Sequence, residues 1–127
     1  MKPLNLLIFG APLLLAASIT SVPAASAHAF PEQETPSAGQ RLAAPPSEVT
    51  IKFDAPIEKL FAKLEVLDAN GKPETIGPPE VGSGALTLSV KLAALKPGDY
   101  TVKWGVVCID SHHTEGSYLF TVGGGGG

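Results

Sequence analysis

Tyr100-Thr101-Val102-Lys103-Trp104-Gly105-Val106-Val107-Cys108 is the stretch that decides the fold. Apolar side chains fall at alternate positions, so Tyr100, Val102, Trp104, Val106 and Cys108 share one face of an extended strand. The same alternation returns on both sides of it. Val49, Ile51 and Phe53 form one inward row, with Thr50 and Lys52 turned outward; Leu64 and Val66 form a second, and Leu86, Leu88 and Val90 a third. Tyr118, Phe120 and Val122 make the last. Asp68-Ala69-Asn70-Gly71 is a turn, Asn-Gly being a strong hairpin signal. Pro45-Pro46, Pro78-Pro79 and Pro97-Gly98 separate the rows. Only Ile57 to Ala62 suggests a helical turn. Short strands at this spacing, without internal repeats, predict an all-β Greek-key sandwich or small barrel.

Composition agrees. The chain has 127 residues, 44% of them hydrophobic and 17% charged, with a formal net charge of -3. That describes one small globular domain. Twelve prolines and fourteen glycines favour turns over long helices. No Lys/Arg cluster exists to neutralise phosphates, which excludes a nucleic-acid surface. So short a chain also has little room for the deep cleft of a large multi-substrate enzyme.

Residues 1–27 read as a secretory signal peptide: Lys2 is the only charge, an apolar run follows from Leu4 to Ala17, and Ala25-Ser26-Ala27 is an A-x-A cleavage site. A cut after Ala24, with Val22 at the -3 position, is the weaker alternative. A membrane anchor needs about 20 apolar residues, and Pro12, Ser18, Thr20 and Pro23 interrupt this run. The leader carries one of the nine basic residues and none of the twelve acidic ones, so the mature charge is -4. The mature protein is expected to be soluble, monomeric and periplasmic, with a folded domain over residues 28–122 and a flexible glycine tail over 123–127. Cys108 is the only cysteine, so no internal disulfide supports the fold.

Cleavage after Ala27 makes His28 the first residue. Its α-amine and imidazole Nδ1 can then chelate one metal ion, and two nitrogens in a chelate ring suit a tetragonal ion such as Cu(II), which heads the divalent affinity order. Asp110-Ser111-His112 supplies a second pair of donors. If this segment is extended, Asp110 and His112 lie on one face, and the carboxylate and imidazole complete a four-ligand square with His28. His113 and Glu115 are then bystanders. If the segment is instead a loop, His113 could replace His112.

These residues resemble the CopC family of periplasmic copper-binding, copper-resistance proteins. The resemblance is carried by His28-Ala29-Phe30, Thr35-Pro36-Ser37-Ala38-Gly39, Pro45-Pro46-Ser47-Glu48-Val49-Thr50-Ile51-Lys52-Phe53 and Gly98-Asp99-Tyr100-Thr101-Val102-Lys103-Trp104. Asp110-Ser111-His112 and Gly116-Ser117-Tyr118-Leu119-Phe120-Thr121-Val122 complete it. It implies an Ig-like seven-stranded Greek-key β-sandwich or barrel that binds one Cu(II) through the His28 amine and imidazole, Asp110 and His112. It also implies a role in copper tolerance or delivery, beside an inner-membrane CopD-type copper transporter or a periplasmic copper oxidase.

Two departures bear on the site. Some family members carry a methionine-rich Cu(I) site, but the only methionine here is Met1, within the leader. One Cu(II) site and no Cu(I) site are therefore expected. Ser111 stands where the family usually has glycine, and His113 is an extra histidine. Cys108, on the inward face of its strand, is expected to be an inert core residue. Two rival functions remain at this level. A copper monooxygenase with a histidine brace would need an open coordination position and a broader face than this chain length suggests; a structural β-sandwich would carry its histidines incidentally.

Overall fold

The structure, a computed structural model, describes Gly10 and residues 28–124. Residues 1–9 and 11–27, on which the signal-peptide reading falls, and residues 125–127 of the glycine tail lie outside the described residues. The alternating rows become strands β1 (Pro31–Thr35), β2 (Arg41–Leu42), β3 (Glu48–Phe53), β4 (Lys63–Leu67), β5 (Thr75–Val81), β6 (Thr87–Leu92), β7 (Gly98–Val107) and β8 (His113–Val122). They form two four-stranded sheets, ordered β1-β3-β6-β5 and β2-β8-β7-β4. The molecule is a β-sandwich, as its sequence predicts. Its strand number is eight and not seven because the two-residue β2 pairs in parallel with the end of β8, Arg41 opposite Thr121 and Leu42 opposite Val122.

The core lies between the sheets. From β7, Tyr100, Val102, Trp104 and Val106 are buried, and from β3 so are Val49, Ile51 and Phe53; Leu64, Val66, Leu88, Val90, Tyr118, Phe120 and Val122 pack with them, and Ile57, Leu92, Leu95 and Cys108 are buried as well. Burying a large aliphatic or aromatic side chain of this kind contributes about 1.5–3 kcal/mol. Phe53 and Trp104 meet edge to face with ring centroids 5.4 Å apart, the arrangement favoured by the ring quadrupoles.

Three local features refine the sequence pattern. The Asn70-Gly71 turn forms, with Gly71 at φ +81° and its N–H donating to the Asp68 carbonyl at 3.0 Å. It closes only a short antiparallel bridge, Leu67 opposite Pro73, with the Glu74 N–H donating to the Val66 carbonyl at 2.8 Å; beyond it β4 pairs with β7 and β5 with β6, so the chain crosses the sandwich there. Leu86 precedes β6, which turns Leu88, Val90 and Leu92 inward instead. The helical turn near Ile57 is a 3₁₀ turn at Lys59–Phe61. It follows an isolated bridge between Ile57 and Cys108, with the Glu58 N–H donating to the Val107 carbonyl at 2.7 Å. That contact closes the end of β7 where it leaves the sheet.

Candidate metal centre

His28 owes its position to the two residues after it. Ala29 is fully buried, and its carbonyl accepts a hydrogen bond from Thr114 Oγ1 at 2.7 Å. The Phe30 N–H donates to Asp54 Oδ1 at 2.8 Å, and the Asp54 N–H returns a bond to the Phe30 carbonyl at 3.0 Å. This clamp sets His28 over the turn that joins β7 to β8. Its imidazole meets that of His112 edge on, ring centroids 4.5 Å apart and planes at 69°.

Cys108 to His112 is a tight turn, not an extended segment. The Cys108 N–H donates to the His112 carbonyl and the Ser111 N–H to the Cys108 carbonyl, both at 2.9 Å. Ser111 has φ +75°, in the left-handed region that a Cβ disfavours. The expectation that alternation along a strand aligns Asp110 with His112 is therefore corrected: the reversal of the chain brings them together. The substitution of His112 by His113, left open for a loop, does not follow. His113 begins β8 opposite Val107, exposed, with its Nε2 beside Gly105 on the strand pair's outer side. Glu115, opposite Gly105 in the register, is exposed there as well.

Asp110 ties the turn together. Its Oδ1 accepts from Cys108 Sγ at 2.6 Å and from the His112 N–H at 3.2 Å, while its Oδ2 lies 2.9 Å from His112 Nδ1. These bonds, that from the Cys108 thiol first and those from His112 next, hold the carboxyl down at about 2. One donor atom each from His28, Cys108 and His112 lie within 4.8 Å of one another. The turn and the amino-terminal segment thus bring two imidazoles and a thiol together, a donor set for a transition metal, with the Asp110 carboxylate beside that set, bonded to Cys108 and His112.

A CopC domain matches residues 31–123, a span that begins after His28 and includes the whole turn. The chain belongs to the CopC family. Among relatives, Protein YobA of Escherichia coli K12 is 34% identical over 102 residues, covering 79% of this chain and 82% of YobA. The Copper transport protein CutJ of Bacillus subtilis is 29% identical over 99 residues, covering 76% of this chain but 18% of CutJ. Two crystal structures share the fold. CopC from Methylosinus trichosporium OB3b superposes with a TM-score of 0.70 at 31% identity, covering 75% of this chain and 93% of that one. PcoC, a methionine-rich copper resistance protein from Escherichia coli, gives 0.67 at 23%, with 75% and 98% covered.

Within this CopC chain, Cys108 is the residue whose nearness to His28 and His112 the sequence did not reveal. It is 1% exposed, as an inward strand position should be. It belongs to the hydrophobic core, as expected, and lies at the end of the sandwich, with donor atoms of His28 and His112 within 4.8 Å of its Sγ. Alternation reports which face a residue occupies and nothing of how far along the strand the core ends. The available signal was the spacing Cys108-x-Asp110-x-His112, three donors at every second position next to a strand end.

Proposed function

We propose that the chain is a periplasmic Cu(II) carrier, a chaperone or sequestering protein of copper tolerance and homeostasis, holding one Cu(II) per molecule. The ligands are the α-amine and imidazole of His28, the carboxylate of Asp110 and the imidazole of His112. One observation supports this most: Asp110 Oδ2 and His112 Nδ1 stand 2.9 Å apart. Nitrogen and oxygen donors at about 2.0–2.1 Å from a metal occupy neighbouring corners of a square about 2.9 Å apart. A Cu(II) ion that displaces the shared proton and stands to one side of the line between them would meet both at ligand distance, with the His28 ring already beside His112.

The names of the relatives agree, CutJ being a copper transport protein and PcoC a copper resistance protein. A filled equatorial plane favours storage and transfer over catalysis, since no open position is left for a substrate. The lone methionine, Met1, rules against a methionine-rich Cu(I) site in the processed chain. No helix among the described residues is long and apolar enough to cross a membrane. A CopD-type inner-membrane transporter or a periplasmic copper oxidase is the proposed recipient, and the carrier acts as a monomer.

The test is a competitive Cu(II) titration of protein that begins at His28 against protein with one residue added before it. The extension turns the amine into an amide that must lose a proton to bind. Affinity should fall by more than about 100-fold, since loss of even an outer-shell partner costs 10–100-fold. Equal affinities would sink the His28 chelate.

A further inference from the structure

From the cluster of His28, Cys108 and His112 we infer that the same pocket also holds Cu(I), with the Cys108 thiolate replacing the Asp110 carboxylate as ligand. The inference rests on the copper reading above but concerns the other oxidation state and a residue that reading does not use.

The donors fit the softer ion. Cu(I) is selected by thiolate, and imidazole also serves copper, whereas a carboxylate suits harder ions. Cys108 is not isolated: both imidazoles offer a donor atom within 4.8 Å of its Sγ. Metal–sulfur and metal–nitrogen bonds of about 2.0–2.3 Å place three donors around one ion about 3.5–4 Å apart in a trigonal plane. The observed spread approaches this, and His112, with a 59% exposed side chain, has room to turn inward. Cys108 itself is 1% exposed, so a bound thiolate would be shielded from solvent oxidants.

The hard and soft donors are also adjacent. Cys108 Sγ donates to Asp110 Oδ1 at 2.6 Å, so an ion that leaves the carboxylate for the thiolate moves little. The binding step is balanced without electron transfer. Cu(I) and the Cys108 thiol form a copper–sulfur bond, the sulfur–hydrogen bond breaks, and the proton leaves to solvent past the partly exposed Asp110 carboxylate. A pocket of this kind replaces the thioether ligands that the processed chain lacks.

The experiment is an anaerobic titration of protein beginning at His28 with Cu(I) supplied by a weak colorimetric chelator, bicinchoninate. Copper X-ray absorption is recorded at one equivalent, and Cu(II) affinity is measured on the same preparation. The expected result is one copper–sulfur bond alongside nitrogen ligands. Cys108→Ser should weaken Cu(I) binding by more than about 100-fold, a first-shell loss exceeding the 10–100-fold of outer-shell partners, and should weaken Cu(II) binding by a smaller factor, since a serine hydroxyl can still donate to Asp110. A wild-type spectrum without sulfur, or a folded Cys108→Ser protein that keeps its Cu(I) affinity, overturns the inference even where Cu(II) binds well. Sulfur-bound Cu(I) with no Cu(II) uptake supports it and overturns the Cu(II) reading instead. Should Cys108→Ser fail to fold, the wild-type spectrum decides.

Discussion

Ser111 shows how much one residue can shape the site. Its φ of +75° carries the chain from Asp110 back to His112, and a Cβ makes that conformation costly. Ser111→Gly should therefore stabilise the protein by about 0.5–1 kcal/mol, read as a higher urea midpoint with an unchanged slope. An unchanged or lower midpoint would contradict the strain at this turn. Asp110 carries the second residue-scale prediction. Bonds from Cys108 and His112 hold its carboxyl at about 2, below the ordinary value of about 3.9. A carboxylate shifted this way adds stability above its unfolded value and gives it up as pH falls towards the folded one. In the copper-free protein, carbonyl NMR should thus find Asp110 titrating near 2, and an ordinary midpoint would mean the turn is open in solution. His28, Asp110 and His112 were readable as candidate ligands because metal chemistry needs few residue types. Their convergence was read for the wrong reason, since the serine at the bend hides a turn that glycine would have announced.

At the scale of the elements, the buried strands were legible and the edges were not. β3, β6, β7 and β8 show clear alternation because one face is buried. β1 reads Pro31-Glu32-Gln33-Glu34-Thr35 and β5 carries Pro78-Pro79, patterns that do not look like strands. Both are edges of the same sheet, where proline and charge guard against pairing with another chain. Glu34 in β1 tests this packing. Burial pushes its carboxyl up, and its Oε2 has no hydrogen-bond partner. Burial foremost, and then the Glu34 charge, pushes the Tyr118 phenol of β8 up as well. An acid raised in this way weakens the fold once ionised, so Glu34→Gln should raise Tm at neutral pH. The gain should vanish as pH falls below about 4.3, the ordinary glutamate value; a gain that persists in acid would contradict burial as its cause. Gly116, opposite Trp104 in the β7–β8 pair, gives a steric prediction. A Cβ there would lie 2.7 Å from Trp104 Cζ2. Gly116→Ala should cost about 1–3 kcal/mol by overpacking, visible as a shift in tryptophan fluorescence together with a lower Tm.

The whole molecule divides its work between the sandwich and one of its ends. The core holds two sheets together without a disulfide, and a domain this small has about 5–15 kcal/mol of net stability. Phe53→Ala, which removes the ring packed on Trp104, should cost about 3–5 kcal/mol and leave a protein close to unfolding at 37 °C. Copper should restore part of that loss, because a ligand bound only by the folded state stabilises it by mass action. At the site end, the clamped amino-terminal segment and the β7–β8 turn meet where the core stops. Composition and alternation could announce the sandwich, since both report burial. They could not announce this meeting point, which depends on residues 28 and 112 becoming neighbours through the fold. The most direct test of the account is therefore an EPR-monitored Cu(II) titration of protein whose mass shows that it begins at His28. One equivalent of a tetragonal signal with three nitrogens and one oxygen, lost in His112→Ala, is the predicted result. A signal that is not stoichiometric, or that survives His112→Ala unchanged, would contradict it.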